Sequence, residues 1–194
     1  MLTLATILIS TVSSADPDGA ARHVWSGDVT SRLEILAALQ SLQIDLLTRD
    51  SATLTLDDWC ARHHIDAPGS KIVAERDDRL VKPVTTEQRR LLGASADEPI
   101  RYRRVRLRCG THVLSEADNW YVPSRLTPRM DTKLDSSNAA FDRVVQALGF
   151  RRQTLSAKLL WSPLPPGWDS GTPIANQSAT LHIPPNVIKI GLFS

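Results

Sequence analysis

The sequence predicts an α+β fold, an antiparallel β-sheet with helices packed on one side. Three observations predict it: apolar residues at helical spacing in two separate stretches, a strand-turn-strand pattern between residues 100 and 122, and an element order that lacks regular βαβ alternation. With 194 residues, 42% of them hydrophobic, the chain is long enough for one core. A single domain over residues 16–194 is therefore expected.

The first fifteen residues, MLTLATILISTVSSA, are uncharged, mostly apolar and end in Ser-Ser-Ala. They resemble the apolar and cleavage parts of a secretory signal, so residues 1–15 are expected to be a leader and the location periplasmic or secreted. If the segment is not a signal, the location is cytoplasmic. Cys60 and Cys109 are the only cysteines. In an exported chain they permit one disulfide, and otherwise they are two buried thiols.

From Thr30, Leu33, Leu36, Leu39, Leu42 or Gln43, and Leu46 or Leu47 fall on one helical stripe, with Ser31 and Glu34 at capping-box spacing. A second helix is expected across LDDWCARHH, capped by Thr55, with Asp57 and Asp58 in its positive first turn and Trp59 facing the core. Turn chemistry in DAPGS leads to the short strand KIVAE, and VTTEQRRLLG reads as a third helix from Thr85 to Gly93. In IRYRRVRLRCG, Val105, Leu107 and Cys109 alternate with Arg104, Arg106 and Arg108, the period of a strand with one apolar face. Gly110-Thr111-His112 turns it back into VLSEADNWYVP, which Pro123 and Pro128 end. Residues 138–149 are expected to be a helix capped by Asn138, with Phe141, Val144, Val145 and Leu148 inward and Gly149 beyond its end. FRRQTLSAKLLW, ATLHI and VIKIGLF have extended character.

Lys and Arg total 23 against 21 Asp and Glu, so a net charge of +2 gives no reason to expect nucleic acid as a partner. No membrane span is expected either, because no run of 18 apolar residues follows the start. The chain lacks a Gly-rich phosphate loop, a Gly-x-Ser-x-Gly elbow and zinc-ligand spacing, and no metal or cofactor is expected. The arginines at 101, 103, 104, 106 and 108 admit three readings: a nucleic-acid stripe, a solvated face paired with acids on a neighbouring strand, or one buried arginine holding a ligand carboxylate.

Taken together, RRVRLRCGTHVLSEADNWYVPSRLTPRM, the helix AAFDRVVQALGFRR, the strand LSAKLLW and the earlier LLTRDSAT resemble the chorismate pyruvate-lyase family over roughly residues 33 to 165. That resemblance implies helical flaps over an internal pocket in which chorismate loses pyruvate, without a cofactor, to leave 4-hydroxybenzoate. It implies Arg104 as the anchor of the ring carboxylate, Phe141 as the apolar flap residue and Ala52 as a pocket wall. The chain departs from the family in two places. The Pro-Phe-Gly turn is Ala140-Phe141-Asp142, and the catalytic glutamate of the C-terminal strand has no counterpart, since no Asp or Glu follows Asp169. The catalytic residue is thus unassigned; Glu116 and Asp118 either replace it or pair with the arginines. Two functions follow: a chorismate-lyase-like enzyme, or a non-catalytic binder of a small aromatic carboxylate. In either case a monomer is expected.

Overall fold

Strands β1 (Thr3–Ser10), β2 (Val73–Arg76), β3 (Arg101–Cys109), β4 (His112–Tyr121), β5 (Gln153–Leu159) and β6 (Asn186–Phe193) form one antiparallel sheet. Its order is β2-β3-β4-β1-β6-β5. The structure, a computed structural model, describes residues 3–10, 25–175 and 180–193. The β3-β4 hairpin turns at Gly110, whose φ of +55° suits glycine, and a Cβ there would collide with the side chain of Asp66. Near the turn a bulge shifts the register between Leu107 and Arg108.

Residues 3–10 of the expected leader are the strand joining the two halves of the sheet. β1 runs from Thr3 opposite Tyr121 to Ile9 opposite Ser115 on β4, and pairs with β6 on its other side. The same uncharged apolar run that suits a leader also suits a strand with a partner along each edge. The rest of the expected leader, with its cleavage point after Ala15, lies outside the described residues.

Helix α1 (Val29–Thr48) is capped by Asp28, which accepts the Ser31 N–H at 2.8 Å, so the capping box expected at Ser31 is replaced by a cap three residues earlier. Ile35, Leu36, Leu39, Leu42 and Leu46 are buried beneath it, whereas Leu33 is exposed. Helix α2 (Ala52–Arg62) is capped by Ser51 rather than Thr55, which lies inside the helix and donates its hydroxyl back to Ser51 O. The sheet and these two helices share the main core through Leu56, Cys60, Val105, Leu107, Ala117, Ile188 and Ile190, with Trp59 packed at its margin. Cys60 and Cys109 are joined by a disulfide, with their Cα atoms 6.3 Å apart.

Helix α3 (Thr86–Leu92) has the expected Thr85–Gln88 capping box and ends at Gly93 with φ +57°. It overturns the expectation that all helices pack on one side. Leu92 packs on Trp120 and Tyr102, which alternation places on the sheet face opposite the main core. Helix α4 (Pro128–Ser136) was not anticipated; Thr127 caps it and Pro128 occupies its first turn. Helix α5 (Phe141–Val145) is shorter than the expected 138–149 element and passes into a 3₁₀ turn, Gln146–Leu148. Asn138 does not cap it, because Ala140 holds the N-cap position; the Asn138 carbonyl accepts the Ala74 N–H of β2, and Leu148 is exposed. Phe141, Val144 and Val145 do pack inward, with Tyr121 and Leu134. Among the described residues, no helix is long and apolar enough to cross a membrane.

Candidate functional site

Strand alternation sorts the β3 arginines. Arg104, Arg106 and Arg108 lie on the face that carries Tyr102 and Trp120, while Arg101 and Arg103 share the helix-covered face with Val105 and Leu107. On the first face the arginines form a charged ladder. Arg104 donates to Asp118 at 3.0 Å and to Glu116 at 2.6 Å, and Arg108 donates to Glu75 at 2.8 Å. Arg106 lies 3.4 Å from Asp77 and 3.6 Å from Glu116. Asp118 also receives Lys82 Nζ and Tyr102 Oη, each at 2.5 Å.

Burial of Asp118 pulls its carboxyl upward, but the bonds from Lys82 and Tyr102 and the Arg104 charge outweigh it and hold it below the ordinary carboxylate range. Burial and the same carboxylate push the Tyr102 phenol up to about 12. Every cation and anion at the centre of this ladder is matched, so Arg104, the anchor implied by the resemblance, already has two carboxylates.

Arg103 is in the opposite situation. It is 5% exposed, and its Nη2 donates to the carbonyls of Ser137 at 3.2 Å and Ala139 at 2.9 Å. Among the described residues its Nε and Nη1 have no hydrogen-bond partner. Burial pushes its guanidinium down to about 10, a direction that marks a cation short of compensating charge. The segment that holds Nη2 leads directly into Ala140 and Phe141, and Phe141 packs on Tyr121 with ring centroids 5.5 Å apart.

Ala52 begins α2 on this same side, buried in the main core together with Ala140. The starts of α2 and α5 are joined by Asp142, whose Oδ2 accepts the Ser51 hydroxyl at 3.0 Å and the Thr53 N–H at 3.3 Å. Outside this join a cleft of about 430 Å³ opens between the two helices, lined by Ser51, Leu54, Asp142, Gln146 and Phe150 among others. The structure therefore brings Ala52 and Phe141 to the helix-covered side with Arg103 and leaves Arg104 on the other. Arg103 was legible in the sequence, since it has the parity of Val105 and Leu107, the apolar file of the strand. Among the described residues no group of three or more His, Cys, Asp or Glu side chains is placed to hold a metal ion.

The fold and this site define an α+β protein with a buried, incompletely bonded arginine held by the segment between α4 and α5. No family model matches the chain. It is 46% identical over 183 residues, 94% of its own length and 77% of the relative's, to the protein named "Uncharacterized protein y4mC" of Sinorhizobium fredii (strain NBRC 101917 / NGR234), and it belongs to the family of that protein.

Proposed function

We propose that the protein binds a small aromatic carboxylate on the helix-covered side of the sheet, with Arg103 as its anchor. One observation carries this reading: of the five N–H groups of the buried Arg103 guanidinium, the three on Nε and Nη1 are without a partner among the described residues. Buried charged donors left unmatched are costly, and a planar carboxylate supplies both the charge and the acceptors. Ala52, Ala140 and Phe141 are apolar residues buried on the same side, among which the rest of a flat acid would pack. Five tryptophans give the readout. Titration with 4-hydroxybenzoate is expected to change their fluorescence, Arg103→Ala to weaken binding at least ~10-fold, the value of one charge-assisted bond, and Arg104→Ala to leave it within about twofold. Equal binding by wild type and Arg103→Ala would remove the anchor.

The chorismate-lyase reading rests on the resemblance and needs an acid or base beside the bound substrate. Glu116 and Asp118, the acids weighed for that part, lie across the sheet from Arg103 in ion pairs with Arg104. This favours binding without turnover. Incubation of folded protein with chorismate is expected to release no 4-hydroxybenzoate above the uncatalysed background; release above it decides for the enzyme.

A further inference from the structure

Helix α1 is apolar on both faces. Ile35, Leu36, Leu39, Leu42 and Leu46 on its inner side are buried, yet Leu33, Ile44 and Leu47 on its outer side are 40%, 60% and 38% exposed. Single exposed aliphatic side chains are ordinary on a protein surface, but these three fall on one line. Leu33, Ala37, Gln40, Ile44 and Leu47 follow one another at intervals of 4, 3, 4 and 3 residues, the spacing of a seam that packs on another helix, and all five are exposed. Charge is scarce beside this seam: of the nine exposed residues of α1, Glu34 alone is charged. A helix that is apolar all round is one covered from both sides.

We infer that, in place of the expected monomer, the protein forms a homodimer in which the outer face of α1 packs antiparallel on α1 of a second copy, across a two-fold axis at Gln40. A second copy is the occupant because the seam reads nearly the same in either direction. Leu33 and Leu47 each lie seven residues from Gln40, so the axis sets Leu33 of one copy against Leu47 of the other at both ends. Between them the small Ala37 leaves room for Ile44 of the second copy. The two Gln40 amides meet at the axis, where each both donates and accepts. Glu34 decides the direction. Parallel pairing would bring the two Glu34 carboxylates side by side, whereas antiparallel pairing separates them along the helices by roughly 18 Å. The seam runs about 21 Å from Leu33 to Leu47 on a helix about 10 Å wide, a footprint at the low end of specific interfaces, so the dimer is a reversible one.

Sedimentation velocity of the full chain from about 1 to 300 μM is expected to show a shift from monomer to dimer as the concentration rises. Ile44→Glu places a charge in the middle of the seam. Because Ile44 is the most exposed of the three aliphatic residues, this variant is expected to match the circular dichroism of wild type and to dissociate at least ~10-fold more readily. Cross-linking reads the direction. Facing residues of two helices whose axes lie about 8–10 Å apart come within disulfide reach, so Gln40→Cys is expected to join two copies under oxidation and Glu34→Cys is not. The native Cys60 and Cys109 are already paired with each other. A monomer over the whole concentration range overturns the proposal. A dimer that survives Ile44→Glu unchanged has its contact elsewhere and overturns it as well. Cross-linking through position 34 and not through 40 overturns the antiparallel two-fold.

Discussion

Asp57 shows how one side chain holds three segments together. It is 5% exposed; its Oδ1 accepts the Ile72 N–H at 2.7 Å, and its Oδ2 accepts from Arg143, which also donates to Ile72 O at 2.7 Å. The pair thereby ties α2 and α5 to the chain entering β2. Removing one member strands a buried charge, so Asp57→Ala is expected to cost about 3 kcal/mol, at the low end of the range for buried pairs because Arg143 is a third exposed. Urea unfolding measures it, and the Asp57→Ala/Arg143→Ala double variant is expected to lose less than the sum of the singles. The sequence offered Asp57 only as a first-turn acid of α2, because its partner lies 86 residues away. Arg103 differs: its place in the apolar file was visible in the alternation of β3, but its unmatched donors became evident only once the neighbouring carbonyls were in position.

Among the elements, the β3-β4 hairpin and its ladder set the response to acid. Hydrogen bonding from Arg79 leads in drawing the Asp77 carboxyl from 3.8 down to about 2, and Asp118 is also held low. A carboxyl depressed by folding stabilises the protein above its unfolded pKa and ceases to do so as the pH falls through its folded pKa. The part of the stability due to these two carboxyls is therefore expected to be lost as the pH drops from about 4 towards 2, as circular dichroism under acid titration would show. Asp77→Asn is expected to flatten that fall. The arginine and acid alternation of this hairpin was plain in the sequence; the approach of Asp77 to Arg104 and Arg106 was not, because Asp77 follows β2 and reaches the ladder only through strand pairing, although its main partner Arg79 is two residues away. The disulfide fastens α2 to the end of β3 across a separation of 49 residues. Reduction is expected to lower the unfolding free energy by about 2–4 kcal/mol, read as a shift in denaturation midpoint with and without reductant.

For the whole molecule, β1 is the decisive element. It lies between β4 and β6, so without it the sheet divides into β2-β3-β4 and β6-β5, each with a newly bare edge. A chain starting at Asp16 is expected to lose cooperative unfolding and dispersed amide resonances, whereas the chain from Met1 keeps both. A native spectrum from the shorter chain would show that the sheet closes without β1. The sequence by itself determined the strand hairpin, the two faces of β3, the capping box of α3 and the inward side of α5, because each follows from local spacing and capping chemistry. Only the tertiary structure decided that an uncharged apolar run at the start is a central strand, that α3 covers the second face, and that Arg103 rather than Arg104 lies on the side of the sheet that carries Ala52 and Phe141. Local periodicity separates the two faces of an element, but which face meets helices, carbonyls or acids depends on partners far away in the chain.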